Sequence, residues 1–344
     1  MVKNRSLKGD LCTLQQPAYK EFLMIDDPFA DLVAVPRGSK DIPNVSHLVY
    51  SRRWQYLGGV LGMLGLGSLT ALFASQPPRW AKPILGSLLA AGLTAGGLGV
   101  GNIWRLAVER HTLRLPRWPS ALNGFKIAHL SDLHLGPNYS QRVLRQALNA
   151  INAWQPEIIL LTGDFVNRPS DVDTLEQMLT GISAPLGVYA CLGNHDYWDD
   201  PQLIARTLKK VGVEVLINQH RLVQWRDQSI VIAGVADPWQ ADADLAQALH
   251  NAPAVPVVLL AHGPDFADIA AEQPVALQLS GHAHAGHINA PWLGPLVVPR
   301  WGEKYPHGQF RIGQCGLYVS RGLAGLPIRF GATPEVGLLT LMAT

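Results

Sequence analysis

In KIAHLSDLH, residues 126–134, an apolar run ends abruptly in a cluster of acidic and imidazole side chains. The same pattern returns in EIILLTGD over residues 157–164 and in GVYACLGNHD over residues 187–196. Short apolar runs bounded by Gly, Asp or Asn are typical of buried strands. The sequence therefore predicts a series of strands, each followed by polar side chains at its carboxyl end.

Further runs extend this pattern towards the C-terminus, at residues 229–233, 255–260 and 275–279. Helical patterns lie between several of the runs, at residues 140–154, 174–179, 202–211 and 242–249. Alternation of strands and helices predicts a largely parallel or mixed sheet that is covered by helices. Ligands of such sheets bind beyond the carboxyl ends of the strands. We therefore expect five strand ends to present their side chains to one crevice.

The predicted crevice collects carboxylate, amide and imidazole groups: Asp132, His134, Asp164, Asn194, His195, His262, His282 and His284. Such a set without thiolates suits Mn²⁺, Zn²⁺ or iron. It is large enough for two ions if one carboxylate bridges them, and two ions can clamp the attacking and leaving oxygens of a displacement at phosphorus. A neighbouring histidine can protonate the leaving oxygen. The residues therefore indicate a dinuclear site for phosphoester chemistry.

Five motifs in this order resemble those of the calcineurin-like metallophosphoesterase family, over about residues 110–344: Asp132-x-His134, Gly163-Asp164, Gly193-Asn194-His195-Asp196, His262 and Gly281-His282-x-His284. The tail at residues 318–330 resembles a bacterial subgroup of small membrane-associated phosphodiesterases. The resemblance implies an α/β fold, the metallophosphoesterase sandwich of two mixed β-sheets flanked by helices. It also implies hydrolysis in which a hydroxide that bridges two metal ions attacks phosphorus in line.

The resemblance also implies a role for each residue of the crevice. The first ion is assigned to Asp132, His134 and His284, and the second ion to Asn194, His262 and His282. Asp164 bridges the two ions, and His195 is the general acid or stabilises the leaving group. The expected cofactors are two divalent metal ions, with manganese preferred and zinc or iron as alternatives.

Two departures from the family pattern concern the acid and the last motif. Many members carry Asp three residues after the bridging Asp, where this chain has Asn167. We hypothesise that the general acid is weaker here, or that Asp196 substitutes, so Asp196 joins His195 as a predicted catalytic residue. Ala285 stands where the family usually has Gly, which puts the backbone turn there in question, and His287 adds an imidazole near the crevice.

Some residues near the motifs keep two interpretations. His287 is a structural residue or a substrate contact. Trp198 and its neighbour Tyr197 stack on a base or sugar of the substrate, or pack at the rim. Arg321 and Arg329 bind a phosphate oxygen, or have an ordinary surface or structural role.

The low charge of the chain, 16% against an average of about 25%, comes from a local deficit near the N-terminus. Residues 54–78 and 83–104 carry no charge, and each run is long enough to cross ~30 Å of hydrocarbon as a helix. Aromatic residues stand at the ends of the runs, as at membrane interfaces. We predict an N-terminal cytoplasmic arm over residues 1–53, a two-helix transmembrane hairpin over 54–108 and a catalytic domain over 109–344. Two buried core helices, or a hairpin that dips into one leaflet, are the alternatives.

The distribution of Lys and Arg favours an orientation of this hairpin. Eight precede the first run, four follow the second in quick succession, and two lie in the turn, which favours both ends in the cytoplasm. We therefore predict a multi-pass protein of the inner membrane with a cytoplasmic catalytic domain. The basic residues are spread out and the net charge is +2, which argues against nucleic acid as a partner. The predicted partner is the lipid bilayer, and no obligate protein partner is expected.

Anchoring beside lipid headgroups raises the local concentration of lipid-linked phosphates, so these are the preferred substrates. Among relatives, a pyrophosphatase that cleaves UDP-2,3-diacylglucosamine in lipid A biosynthesis gives the most specific candidate. The first alternative is a broad-specificity phosphodiesterase of the cell envelope that faces the other side of the membrane. The second is a non-catalytic scaffold on the same fold, which the complete set of ligand positions disfavours.

Overall fold

The computed structural model describes residues 81–290 and 294–344. The predicted arm at residues 1–53 and the first apolar run at 54–78 lie outside these residues. The second run forms helix α1, Ala81–Asn102. Across the two described ranges, no helix combines the length and the apolarity that crossing a membrane requires.

Two six-stranded sheets form the body of the described chain. The strands are β1 Ala107–Leu115, β2 Phe125–Leu130, β3 Ile158–Thr162, β4 Val188–Cys191, β5 Val213–Val215, β6 Gln219–Trp225, β7 Gln228–Gly234, β8 Val257–Leu260, β9 Val275–Ser280, β10 Asn289–Ala290, β11 Gly294–Pro295, β12 Gly308–Ile312, β13 Cys315–Val319 and β14 Glu335–Ala343. The helices after α1 are α2 Asn138–Trp154, α3 Val172–Leu179, α4 Asn194–Trp198, α5 Pro201–Lys210, α6 Leu245–Ala248 and α7 Ala267–Ala271.

Both sheets are mixed. The first has the order β1-β14-β2-β3-β4-β5, and β14 is antiparallel to β2 while the other neighbours are parallel. The second has the order β12-β13-β9-β8-β7-β6, with antiparallel pairs at its two edges. Strands β10 and β11 form a separate short pair. This architecture agrees with the predicted sandwich of two mixed sheets with helices.

The apolar runs are continuous because both faces of their strands are buried. Along β3, Ile158 and Leu160 pack between the two sheets, and Ile159 and Leu161 pack with residues of the helices that cover the outer face. A separate cluster packs α6 and α7 against the second sheet. Burial on both faces is expected of parallel strands covered by helices. The faces of these strands are therefore covered, and their carboxyl ends are not.

The main difference from the sequence prediction is at the edge of the first sheet. The pairing of β1 with β14 runs from Ala107 to Leu115 and was not predicted. Its sequence, AVERHTLRL, mixes charged and apolar residues, because an edge strand is only partly buried. Helix α6 is also shorter than the predicted helical pattern at residues 242–249.

Candidate metal centre

The predicted ligands lie at the ends of five strands that belong to both sheets. Asp132 and His134 follow β2, Asp164 follows β3, Asn194 opens α4 after β4, His262 follows β8, and His282 and His284 follow β9. All seven side chains are buried. The structure therefore brings the seven residues to one end of the sandwich, across the junction of its two sheets.

The ligand atoms of these residues form overlapping groups in which all atoms lie within 4.8 Å of one another. One group contains Asp132, His134 and His284, and another contains Asp164, His262 and His282. A third group joins His134, Asp164 and His195. The first group holds the three residues assigned to the first ion, and the second group holds His262 and His282 of the second ion together with Asp164.

Asp164 lies between the groups. Its Oδ2 atom is 3.2 Å from Nε2 of His262, 3.6 Å from Nε2 of His134 and 3.9 Å from Nε2 of His195. This arrangement places one carboxylate within reach of ions in either group.

The donor atoms themselves test whether this centre fits metal ions. Nε2 of His134, Nε2 of His262 and Oδ1 of Asn194 are buried and have no hydrogen-bond partner. A buried polar atom without a partner costs about 1–3 kcal/mol, so such atoms call for an explanation. Imidazole, carboxylate and amide donors together suit divalent transition metals. The residues present therefore fit a dinuclear divalent centre.

The charges of the centre are coupled through Asp164. Burial alone raises the pKa of this carboxyl, but the His262 and His195 rings outweigh it and hold the pKa well below its usual value. Burial lowers the pKa of His262, yet the Asp164 charge outweighs burial and raises it well above the usual range. His282 has a pKa lowered to about 3, first by burial and then by the charge of His262. The cluster thus holds a firmly ionised Asp164 carboxylate beside a His262 ring that keeps its proton and a His282 ring that resists protonation.

The backbone at the ligands is strained. Five of them have a left-handed φ: Asp132 (54°), His134 (40°), Asp164 (58°), His282 (69°) and His284 (50°). This conformation is costly for residues other than glycine and concentrates at functional sites. The motif glycines allow the close approach, since a Cβ atom on Gly281 would lie 2.1 Å from Oδ2 of Asp132.

Groups behind the ligands fix the orientation of the rings. Oδ1 of Asn167 accepts a hydrogen bond from Nδ1 of His134 (3.0 Å), and Nδ2 of Asn167 donates to the carbonyl of His134 (3.0 Å). Nδ1 of His262 donates to the carbonyl of Thr162 (2.5 Å), and Nε2 of His282 donates to the carbonyl of Arg300 (2.8 Å). Each bond leaves the other ring nitrogen free to bind a metal. Asn167 thus holds His134, a predicted ligand, whereas the hypothesis from the sequence concerned the acid His195.

Asp196 lies fully buried behind the ligands. Its Oδ2 accepts from the backbone N–H groups of Asp164 (2.9 Å) and Gly193 (2.8 Å), and its Oδ1 accepts from that of Phe165 (2.9 Å). Burial, with the nearby Asp164 charge, raises the pKa of Asp196 to about 8. This placement favours holding the backbone of two motifs over the acid–base role hypothesised from the sequence.

His195 lies on the open side of the centre, with 16% of its side chain exposed. Its backbone N–H donates to Oδ1 of Asp164 (2.9 Å). The Trp198 ring lies over it, with centroids 4.4 Å apart, and Trp239 contacts both Trp198 (5.6 Å) and His282 (5.9 Å). The sequence analysis missed Trp239, although its place soon after the end of β7 could have indicated it.

The other ambiguous residues take structural positions. Ala285 adopts a φ of 50°, so the turn forms without the glycine usual in the family. His287 is buried and stacks on His284 with centroids 4.4 Å apart. Arg321 forms ion pairs with Glu109 and Glu335. Arg329, 1% exposed, donates to backbone carbonyls, so neither arginine presents its guanidinium to a substrate phosphate.

Comparison with known proteins agrees with this centre. The sequence profile of the family described as "Calcineurin-like phosphoesterase" matches residues 125–286. The uncharacterized metallophosphoesterase YkuE of Bacillus subtilis is 33% identical over 282 residues, which cover 77% of this chain and 97% of that protein. Phosphodiesterase YaeI of Escherichia coli is 29% identical over 224 residues, covering 63% and 82%. The UDP-2,3-diacylglucosamine pyrophosphatase LpxG of Chlamydia trachomatis is 28% identical over 295 residues, covering 68% and 88%.

Proposed function

This chain belongs to the calcineurin-like phosphoesterase family and is a metal-dependent phosphoester hydrolase, and within that class we propose a membrane-anchored phosphodiesterase or pyrophosphatase. The observation that carries the proposal is the convergence of seven buried donor residues in two groups around Asp164. Two divalent ions, when bound, supply an activated water and clamp the oxygens of an in-line displacement at phosphorus.

The proposed roles follow from the positions of the side chains. Asp132, His134 and His284 hold one ion, Asn194, His262 and His282 hold the other, and Asp164 is shared. His195 donates a proton to the leaving oxygen, because it is the most exposed imidazole of the cluster and lies beside Asp164. Asp196, in our proposal, fixes the backbone that carries Asp164 and Gly193. Manganese is our proposed metal, with zinc or iron as alternatives, because a donor set of imidazole, carboxylate and amide groups accepts all three.

A lipid-linked phosphate is the proposed substrate, and the inner membrane is the proposed location. The uncharged run at residues 83–104 supports a membrane location, and in α1 the side chains of Leu93 (70%), Leu98 (59%) and Val100 (50%) are exposed. The name of the relative LpxG supports UDP-2,3-diacylglucosamine as a candidate substrate. We propose the arm, hairpin and catalytic domain with the predicted bounds, and a cytoplasmic catalytic domain.

The test is hydrolysis by the detergent-solubilised 344-residue chain with Mn²⁺, Zn²⁺ or Fe²⁺. Three substrates are compared: bis-p-nitrophenyl phosphate, p-nitrophenyl phosphate and UDP-2,3-diacylglucosamine. We expect Mn²⁺-dependent release of UMP from the lipid, and no activity in the Asp164→Ala variant. Turnover of the diester alone would favour the broad-specificity phosphodiesterase, and no turnover of any substrate would contradict the enzymatic proposal.

A further inference from the structure

The tail between β13 and β14, residues 320–334, packs directly on the first group of ligands. The backbone N–H of Ala324 donates to the carbonyl of Asp132 (2.9 Å). A Cβ atom on Gly322 would lie 2.6 Å from Cβ of Asp132, and one on Gly325 would lie 2.9 Å from Cε1 of His284. The tail therefore touches two of the proposed ligands without supplying a ligand itself.

Arg329 holds this tail together from inside. Its buried guanidinium donates through Nη1 to the carbonyls of His284 (3.2 Å) and Arg321 (2.8 Å), and through Nη2 to the carbonyl of Ala324. Nη2 also lies 2.9 Å from Nδ1 of His284. Because a guanidinium carries only hydrogen-bond donors, the Arg329 guanidinium occupies the Nδ1 side of the His284 ring. Nε2 of His284 then lies towards Oδ1 of Asp132, 3.3 Å away.

The last turn of α1 holds the backbone of Arg329. The N–H of Arg329 donates to the carbonyl of Gly99 (2.9 Å), and Nδ2 of Asn102 donates to the carbonyl of Arg329 (3.1 Å). Nδ2 of Asn102 also lies 2.9 Å from Oγ1 of Thr333. A Cβ atom on Gly99 would approach Cγ1 of Ile328 to 3.0 Å, so the helix and the tail are in close contact. Arg329 thus bonds the last turn of α1 through its backbone and His284 through its side chain.

We propose that Asn102 and Arg329 are positioning residues for the first metal ion, which makes α1 a structural part of the metal centre. Asn102 fixes the backbone of Arg329, and Arg329 fixes the ring of His284 and the tail that abuts Asp132. This inference rests on the proposed assignment of His284 and Asp132 as ligands. The second group does not depend on α1, because His262 and His282 are held by the carbonyls of Thr162 and Arg300.

This asymmetry gives a selective test on the full chain. Asn102→Leu removes both donor contacts at the far end of the connection, and we expect it to weaken one of two bound Mn²⁺ ions by about 10–100-fold, the range for groups that orient metal ligands. Arg329→Met should do the same or more, and Arg329→Lys should restore at most part of the binding. Electron paramagnetic resonance during Mn²⁺ titration separates a coupled Mn²⁺ pair from an isolated ion. Asn149→Leu, the same change at an exposed position of α2, is the matched control.

The expected result is an isolated Mn²⁺ signal in Asn102→Leu at concentrations that give the coupled pair in the unmodified protein and in Asn149→Leu. Retention of the pair with unchanged affinity would overturn the inference, as would an equal loss of both ions with a lower melting temperature of the metal-free protein. If the Arg329→Met variant does not fold, the Mn²⁺ titration of Asn102→Leu alone decides whether the inference holds. Failure of the unmodified protein to bind two ions would count instead against the proposed function.

Discussion

The loops at the strand ends and the tail at residues 320–334 serve the same centre with different kinds of group. The loops supply the donor side chains, on backbone that is strained at Asp132, Asp164 and three further ligands. The tail offers its backbone and the buried guanidinium of Arg329. The profile match at residues 125–286 covers the loops and ends before the tail. The proposed ligands are thus encoded in short motifs, while part of their geometry comes from segments remote in sequence.

Loss of a ligand from the loops should have the largest effect. We expect His262→Ala to lower kcat/KM by about 10³-fold or more, equivalent to about 4 kcal/mol of barrier, because a proposed ligand of the second ion is removed. The matched control is His220→Ala, whose half-buried ring bonds the carbonyl of Ala248 away from the centre. Steady-state hydrolysis of bis-p-nitrophenyl phosphate measures both variants. Equal activity of the two would contradict the assignment of His262.

A methyl group added to the tail should disturb the first ion by contact alone. Gly325 has a φ of 118°, and its added Cβ would lie 2.8 Å from the ring of His287 and 2.9 Å from that of His284. Gly308 has a φ of 97° with nothing within 4 Å of such an atom. Both Gly→Ala changes cost backbone strain of about 1–3 kcal/mol, but only Gly325→Ala should lose Mn²⁺, with activity down by about tenfold or more. Mn²⁺ retention in Gly325→Ala, measured by mass spectrometry of bound metal, would remove the tail from the centre.

Substitutions of Asn167 test whether this side chain orients the ring of His134 within the loops. Asn167→Leu removes the acceptor for Nδ1 of His134, and we expect metal affinity to fall by about 10–100-fold. Asn167→Asp keeps an acceptor and should keep the metal. Because the Asn167 amide bonds His134, a proposed ligand, the limb of the pH–rate profile that reports the general acid should stay unchanged in Asn167→Asp. A shifted limb would restore the hypothesis that residue 167 orients the acid.

Substitution of a histidine that belongs neither to the loops nor to the tail should change only the stability of the protein. His129 is fully buried in β2, where Nε2 bonds Oγ1 of Thr162 (2.8 Å), and burial lowers its pKa to about 3. The unfolded chain takes up this proton near pH 6.5 and the folded chain does not, so stability is lost as the pH falls from 6.5 towards 3. In His129→Phe, the slope with which the free energy of unfolding falls as the pH decreases should be smaller by about 1.4 kcal/mol per pH unit. Urea unfolding at several pH values measures the slope, and an unchanged slope would contradict the prediction.

The sequence predicted the donors well because each combines two local signals, a strand end and a side chain of a metal-binding type. It did not predict the partner of Asn167, since that depends on how the turn after β3 lies against His134. The role of Arg329 was also out of reach, because its partners are mainly backbone carbonyls that no residue pattern marks. Strand β1 was not predicted, because its mixture of charged and apolar residues is that of a half-exposed edge strand.

Anomalous X-ray diffraction at the manganese edge, from crystals of the full chain grown with Mn²⁺, tests the dinuclear centre directly. We predict two peaks, one beside Asp132, His134 and His284 and one beside Asn194, His262 and His282, with the carboxylate of Asp164 in contact with both. A single peak, or two peaks that do not share Asp164, would contradict the account.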